Sequence, residues 1–193
     1  MMRTFDELVR AGKVRRVGLP NVPAWCARRA QALAEFRGYE PVSAPQLEYS
    51  LVERSIESEF VPLRLAHGVG TMVWSPLASG PLSGKYRCSP SGPVGHGMAQ
   101  VALNWVAHRP GVASVIVGAT RLAQPEDNLG AFEFSRPDEL TASLDRASGS
   151  PATFPYSFLT PGMQAMLAGS HMVRDKPEHY WPRTRIDDAV ARR

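Results

Sequence analysis

The sequence has few of the residues from which disulfides and metal sites are built. Its 193 residues include only two cysteines, Cys26 and Cys88, which lie far apart and form no CxxC motif. The five histidines show no HExxH motif or other close pairing. We therefore expect free thiols, which are typical of a reducing compartment, and no metal site.

The sequence also lacks long apolar runs and long basic runs. No stretch approaches the roughly 20 apolar residues that span a bilayer, and the segment after Met1 lacks the apolar core of a signal peptide. The net charge is +4, and residues 174–193 alone hold six basic and four acidic side chains. A charge excess without a basic run gives little support for nucleic-acid binding. The composition predicts a soluble cytoplasmic protein that binds no nucleic acid and does not insert into a membrane.

Short apolar runs alternate along the chain with longer segments of helical period. Strands are predicted at residues 14–19, 42–48, 69–75 and 113–118, and helices at 24–36, 55–66, 98–108, 122–132 and 138–147. Residues 4–11 are predicted as the end of a further helix, and residues 87–97, rich in Gly, Pro and Ser, as a loop. This order predicts an α/β fold with a parallel sheet. The helix at 24–36 places Trp25, Leu33 and Phe36 roughly on one side.

Polar residues follow each predicted strand. They are Asn21 after the first, Gln46 and Glu48 in the second, Trp74 and Ser75 after the third, and Gly118 to Thr120 after the fourth. Ligands of parallel α/β sheets bind where the strands end, because free backbone N–H groups point outward there. Each residue also has a purely structural interpretation, with Asn21 and Thr120 as helix caps and Trp74 as a core residue.

The segment from Trp74 to Tyr86 is rich in small residues and contains Gly80, Gly84 and Lys85. It does not match the phosphate-binding loop of nucleoside triphosphatases, since only three residues separate the glycines and Tyr86 follows the lysine. A turn of small residues after a strand, with a lysine nearby, still suits a diphosphate group.

Several motifs resemble the aldo-keto reductases, in order along the chain. They are Val17-Gly-Leu-Pro-Asn21, Gln46-Leu-Glu-Tyr-Ser50 with Glu53-Arg54, Trp74-Ser-Pro-Leu77, Gly84-Lys-Tyr86, Gln100-Val-Ala-Leu-Asn-Trp105, Ile116-Val-Gly-Ala119 and Glu126-Asp-Asn-Leu129. The similarity extends from about residue 4 to about residue 160. It is greatest to the branch that includes the potassium-channel β-subunits and bacterial relatives.

The resemblance implies a (β/α)8 TIM-type barrel that transfers hydride between NADPH and a carbonyl substrate. In such a protein Asn21 and Gln46 would bind the nicotinamide carboxamide, and Trp74 would stack on the nicotinamide ring. Ser75, Leu77 and Lys85 would lie along the diphosphate. The residues near the adenosine and its 2′-phosphate would be Gly118, Thr120, Gln124, Asp127 and Asn128. Gln124 offers a neutral contact where many members of the family have arginine.

The sequence departs from the family in length. A complete barrel has eight strands and ~250 residues, whereas four strands can be placed here, in the part that resembles the C-terminal half. We therefore expect a partial barrel of about four βα units over residues 1–150 and a C-terminal extension with helices over residues 151–193. The catalytic Asp, Tyr, Lys and His of the family belong to the other half, so no residue of this chain is assigned to them. Tyr49, Tyr86 and Tyr156 are proton-donor candidates by residue type alone.

Three hypotheses follow for the function. The chain is a reductase by descent that retains the NADP(H)-binding half, either with little activity alone or completed by a separate N-terminal half. Alternatively it is a non-catalytic assembly or regulatory module, because a partial barrel leaves open sheet edges that a homo-oligomer or a partner would cover. The third hypothesis is a decayed gene fragment.

Overall fold

A computed structural model describes residues 1–86, 95–159 and 163 of the chain. The helices are α1 (Met2–Arg10), α2 (Ala24–Arg37), α3 (Phe60–His67), α4 (Met98–Ala107), α5 (Ala123–Leu129) and α6 (Asp138–Ser148). The strands are β1 (Val17–Pro20), β2 (Val42–Glu48), β3 (Thr71–Trp74) and β4 (Val112–Val115). Short 3₁₀ turns lie at Ser55–Glu57, Pro81–Ser83, Gly130–Phe132 and Tyr156–Leu159.

The four strands form one parallel sheet in the order β1-β2-β3-β4. Gln46 of β2 is opposite Pro20 of β1 on one side and Met72 of β3 on the other. Glu48 is opposite Trp74. The predicted α/β fold with a parallel sheet is therefore confirmed, in the form of a partial TIM-type barrel.

The two faces of the sheet differ in burial. Leu19, Leu47 and Val73 point toward the helices and are buried. On the opposite face, Met72 is 38% exposed and has Ser114, also exposed, as its neighbour on β4. Among the described residues nothing pairs with the outer edge of β1 or of β4. The sheet is therefore an open half-barrel with one covered and one uncovered face.

Helix α4 is the centre of the core. The helix predicted at 98–108 is confirmed, and Val101, Ala102, Trp105 and Val106 in it are almost completely buried. The Trp105 indole packs against Tyr49, which follows β2, with 5.4 Å between ring centroids. This contact joins the helical layer to the end of the sheet.

A buried charge network surrounds Trp105. The guanidinium groups of Arg54 and Arg109 lie 5.0 and 4.1 Å from the ring centroid. Arg54 forms two hydrogen bonds of 2.9 Å with the Glu57 carboxylate. Asp145 of α6 accepts hydrogen bonds of 3.0 Å from Arg109 and from the Trp105 indole. Two arginines are thus balanced by two carboxylates, and the network attaches α6 to the rest of the fold.

Helix α2 packs on the sheet through small side chains. Its buried residues are Ala24, Ala27, Ala30 and Ala34. Trp25, Leu33 and Phe36 do share one side of the helix, but that side faces solvent, with exposures of 65%, 41% and 83%. The alanines are buried because they let the helix backbone approach the sheet closely, which leaves the larger apolar residues outside.

Several predicted strands and helices have a wrong first or last residue. The first predicted strand begins too early, because Lys13 and Val14 bond back to the Leu8 carbonyl of α1 instead of pairing with β2. The third begins two residues later than predicted, and β4 ends at Val115 rather than at Gly118. The predicted helix at 55–66 is a 3₁₀ turn followed by α3, which begins at Phe60 so that Pro62, which lacks an N–H, lies in its first turn. The helix at 122–132 similarly becomes α5 and a 3₁₀ turn.

Part of the prediction lies outside the described residues. This applies to residues 87–94 of the predicted loop, to Cys88, and to residues 160–162 and 164–193 of the predicted extension. Cys26 is a half-buried free thiol. None of the described helices is long and apolar enough to cross a membrane.

Candidate functional site

The candidate site begins at the carboxyl ends of β1 and β3. Asn21, directly after β1, has φ of +44°, and Ser75, directly after β3, has φ of +54°. Left-handed conformations are uncommon outside glycine and cluster at functional sites. The Trp74 indole donates a 2.9 Å hydrogen bond to Oδ1 of Asn21. This bond leaves the amide N–H groups of Asn21 without a partner among the described residues.

Gln46 lies between these two strand ends on β2. Its backbone carbonyl accepts a 2.9 Å hydrogen bond from the Asn21 N–H, which continues the β1–β2 pairing by one residue. The Gln46 side chain is half-buried and makes no hydrogen bond among the described residues. The structure therefore brings Asn21, Gln46 and Trp74, the residues predicted to contact nicotinamide, to neighbouring positions at the same edge of the sheet.

The turn after β3 folds back on itself in left-handed backbone. Ala78, Ser79 and Gly80 have φ of +53°, +58° and +127°. The Ser75 hydroxyl accepts a 3.1 Å hydrogen bond from the Ser79 N–H, which fixes the turn, while Leu77 packs against the core. Turns with successive left-handed residues direct backbone N–H groups toward one point and form anion-binding concavities.

Lys85 lies over this turn. A Cβ built on Gly80 would come within 2.9 Å of the Lys85 ammonium, which shows how closely the lysine side chain lies over the turn. The ammonium is also 4.8 Å from the Tyr86 ring centroid. No carboxylate pairs with Lys85 among the described residues. Its charge is therefore available for an anion at the turn.

The segment after β4 is exposed and held by Gln124. The amide oxygen of Gln124 accepts hydrogen bonds from the Thr120 N–H at 2.7 Å and from the Arg121 N–H at 3.2 Å. Gln124 thus stabilises the start of α5 in the manner of a helix cap, whereas the Thr120 side chain, considered above as that cap, does not cap α5. Gly118 lies in the exposed link between β4 and this turn.

Gln100 connects α4 to α5. Its amide group donates hydrogen bonds of 3.0 Å to the backbone and side-chain oxygens of Asp127, and its oxygen accepts one from the Gly97 N–H. Asn128, the next residue, is half-buried. Because the 3₁₀ turn at Pro81–Ser83 also contacts α4, the N-terminal part of α4 lies between the diphosphate candidates and the adenosine candidates.

Two features of the site were not predicted from the sequence. One is the left-handed backbone at Ala78 and Ser79, for which the residue types give no signal. The other is the role of Gln100, whose place at the third position of α4, after Gly97, is a known capping position and was a usable signal.

The tyrosines are not placed as proton donors at the sheet edge. Tyr49 is buried, donates a 2.6 Å hydrogen bond to Glu57 and accepts one from Arg109. Burial raises the pKa of Tyr49 well above its ordinary value, against the opposing charge of Arg109. Tyr156 donates to Glu59 near α3, and Tyr86 is exposed beside Lys85. Among the described residues, no group of three or more His, Cys, Asp or Glu side chains is placed to hold a metal ion.

Comparison with known proteins identifies the family. The sequence model of the Aldo/keto reductase family matches residues 1–96 and 92–148. The uncharacterized oxidoreductase YrpG of Bacillus subtilis is 32% identical over 166 residues, which cover 73% of this chain and 51% of YrpG. A probable voltage-gated potassium channel subunit beta of Arabidopsis thaliana is 35% identical over 123 residues, covering 46% of this chain and 38% of the plant protein.

A third relative shows a similar coverage. The protein tas of Escherichia coli is 27% identical over 179 residues, which cover 75% of this chain and 52% of tas. The chain thus spans about half the length of the relatives that it matches. Because the family model covers most of the described sheet and helices, this chain belongs to the aldo/keto reductase family.

Proposed function

We propose that this chain is the NADP(H)-binding half of an aldo/keto reductase and that carbonyl reduction requires a second half-barrel. The observation that carries this proposal is the edge at which Asn21, Gln46 and Trp74 meet beside a left-handed turn, over which lies Lys85, an ammonium that no carboxylate of the described residues pairs with. General oxidoreductase function is supported by the family match and by the relative YrpG.

The donor groups at the edge suit a nicotinamide dinucleotide. Asn21 and Gln46 have amide groups free to hydrogen-bond a carboxamide, and the half-buried Trp74 ring is held in place by its bond to Asn21. The turn from Ser75 to Gly84 and the Lys85 charge suit a diphosphate. When bound, NADPH supplies the hydride that reduces a carbonyl group to an alcohol.

The adenosine end offers weaker contacts. Gly118, Thr120, Gln124, Asp127 and Asn128 lie along the segment that Gln124 and Gln100 hold in place. The Gln124 amide N–H groups make no hydrogen bond among the described residues, so they are available to a 2′-phosphate. A neutral amide binds phosphate less strongly than a guanidinium does, so we expect modest selectivity for NADPH over NADH.

Catalysis requires groups that none of the matched motifs supplies. By resemblance, the proton donor of the family is a tyrosine assisted by lysine, and such general-acid catalysis contributes roughly 10²–10⁴-fold. The Tyr49 hydroxyl is engaged by Glu57 and Arg109 on the side of the sheet that the helices cover. We propose that a partner bearing these groups covers the exposed sheet face and pairs with the free edges of β1 and β4, in the cytoplasm, where Cys26 remains reduced.

Titration of the purified chain with NADPH tests the proposal. We expect calorimetry to give one binding site per chain, and we expect partial quenching of tryptophan fluorescence that Trp74→Phe diminishes. Addition of an aromatic aldehyde should cause no NADPH oxidation until a chain with the N-terminal half of the family is supplied. Absence of NADPH binding would contradict the cofactor assignment, and rapid aldehyde reduction by the chain alone would contradict the requirement for a second half.

A further inference from the structure

We infer that the outer face of α2 is a self-complementary surface on which a second copy of this chain docks in antiparallel orientation. The surface, called here the α2 face, consists of Trp25, Arg28, Arg29, Ala32, Leu33, Glu35 and Phe36. It lies on the side of α2 opposite the alanines that pack on the sheet. It is therefore separate from the sheet edge, the open sheet face and the candidate cofactor site.

Two aromatic side chains of the α2 face are largely exposed to solvent. Trp25 is 65% exposed and Phe36 is 83% exposed. Since 100° separates successive residues of a helix, Trp25, Arg29, Ala32 and Phe36 fall on one outward line about 16 Å long. Tryptophan and arginine are enriched among the residues that dominate binding energy at protein interfaces.

The order of residues along this line is nearly symmetric about its middle. Trp25 and Phe36 lie at the two ends, and Arg29 and Ala32 lie at equal distances from the centre. When two such helices pack antiparallel about a two-fold axis, Trp25 of one chain lies against Phe36 of the other, twice. Arg29, a long side chain, then lies against the small Ala32 of the other chain, which leaves it room.

Charges beside the line are complementary in the same arrangement. Arg28 and Glu35 lie on the same flank of the helix, one toward each end. Within one chain they approach only to 3.7 Å, and both side chains are about half exposed. A two-fold axis across the helix keeps this flank on the same side in both chains, so Arg28 of each copy lies within one helical turn of Glu35 of the other. In the dimer, two intermolecular ion pairs would replace the two long intramolecular pairs, one of which lies in each chain.

The same charges argue against an anionic lipid surface as the occupant. Arg28, Arg29 and Arg37 with exposed aromatics have the composition of a membrane-surface helix. However, Glu35 lies among them, 3.7 Å from Arg28 and from His67 of its own chain, and an anionic surface would repel its carboxylate. A second copy satisfies every charged residue on this flank, and lipid binding becomes an outcome of the test.

Sedimentation velocity of the intact chain tests the inference, with charge reversal as the main perturbation. We expect a monomer–dimer equilibrium, with a dissociation constant on the order of 10 µM because a single helix pair is a small interface. Arg28→Glu places a new carboxylate against Glu35 of the second copy, and Glu35→Arg places two guanidinium groups together. Each variant alone should dimerise at least about tenfold more weakly.

The decisive sample is the mixture of the two reversed variants. In a heterodimer of Arg28→Glu with Glu35→Arg, both intermolecular contacts between positions 28 and 35 join a carboxylate to a guanidinium, so the mixture should associate more strongly than either variant alone. The double variant Arg28→Glu/Glu35→Arg restores both ion pairs with opposite polarity and should dimerise about as strongly as the wild type.

Trp25→Ser should abolish dimerisation, whereas Val52→Ser, which removes another exposed apolar side chain far along the sequence, should not. Circular dichroism of each variant reports whether it folds.

Three results would overturn the inference. These are a wild type that remains monomeric at every concentration, a dimer whose strength the single charge reversals do not change, and a folded double variant that fails to associate. Binding of the monomeric wild type to phosphatidylserine vesicles, without dimerisation, would instead assign the α2 face to lipid. None of these results depends on NADPH, so the failure of this inference is distinguishable from failure of the proposed function.

Discussion

The Trp74 indole N–H and the Asn21 side-chain oxygen are 2.9 Å apart, and this bond joins the carboxyl ends of two strands that are not neighbours in the sheet. It passes beside the end of β2, where Gln46 lies. The bond therefore fixes both the left-handed Asn21 and the orientation of the Trp74 ring before any ligand binds. Preorganisation of this kind reduces the entropic cost of binding.

Trp74→Phe retains an aromatic ring but removes the donor to Asn21. We expect NADPH affinity to fall roughly tenfold, because both the ring and the Asn21 amide lose their fixed position. Trp74→Ala, which removes the stacking surface as well, should cost more. Calorimetric titration with NADPH measures both. Equal affinities for the wild type and for Trp74→Ala would exclude Trp74 from the binding site.

Lys85→Met removes the unpaired charge above the turn. We expect NADPH affinity to fall about tenfold and to become less sensitive to salt, because one charge-assisted contact with the diphosphate is lost. Lys13→Met, at an exposed position between α1 and β1, is the matched control and should leave both unchanged. The measurement is titration at low and high ionic strength. An unaltered salt dependence in Lys85→Met would remove Lys85 from the site.

Asp145→Asn tests the buried charge network. Loss of this carboxylate leaves Arg109, which is 9% exposed, without full compensation. We expect the free energy of unfolding to fall by about 2–4 kcal/mol. Glu7→Gln, which breaks an exposed ion pair with Arg3, should leave it almost unchanged, because solvent screens that pair. Urea denaturation of both variants measures the free energy of unfolding. Equally small losses in the two variants would show that the network contributes no stability.

Tyr49 makes stability depend on alkaline pH. Because burial raises its pKa in the folded chain, the unfolded chain releases the Tyr49 proton near pH 10.0 while the folded chain retains it. The stabilisation from Tyr49 is thus complete below pH 10 and is lost as the pH rises above it, by about 1.4 kcal/mol for each pH unit. Denaturation at pH 9–11 should show a shallower decline for Tyr49→Phe than for the exposed control Tyr86→Phe. Parallel declines would contradict the effect.

Gly111→Ala tests the packing of Arg64 against the turn before β4. A Cβ at Gly111 would lie 2.8 Å from the guanidinium carbon of Arg64, and the residue has φ of +76°. Gly12→Ala introduces similar backbone strain at φ of +70° with no atom within 4 Å, and should cost about 1 kcal/mol. The steric contact should add roughly 1–3 kcal/mol at Gly111. Equal melting temperatures for the two variants would show that Arg64 moves aside freely.

The sequence predicted those parts of the fold in which local pattern and tertiary contact agree. The strand at 42–48 was predicted with its observed limits, and it has a partner strand on each side. Helix α4 was clear because its large apolar residues recur at helical spacing. In α2 the same reasoning placed Trp25, Leu33 and Phe36 on one side, but hydrophobicity does not tell whether that side or the alanine side faces the sheet.

The residues of the candidate site could be predicted from the sequence, but their geometry could not. The strand ends indicated Asn21, Gln46 and Trp74, since parallel strands end at one edge. The bond from Trp74 to Asn21 was not predictable, because it depends on a left-handed conformation that Asn21 adopts only in the folded chain. Gln124 was predicted to lie near the adenosine and its 2′-phosphate. Its part in holding the turn before α5 was not predictable, because its amide oxygen accepts hydrogen bonds from backbone N–H groups that only the fold brings close.

The buried charge network around Trp105 also has a consequence for the order in which the chain folds during synthesis. Neighbouring strands of the sheet are consecutive in the sequence, so each can join as it leaves the ribosome. Arg54 and Arg109 are synthesised with only Glu57 to balance them, and Asp145 follows 36 residues after Arg109. Until α6 emerges, the nascent sheet carries an uncompensated positive charge beside Trp105. Docking of α6, the last of the described helices, is therefore the step that supplies Arg54 and Arg109 with their second carboxylate.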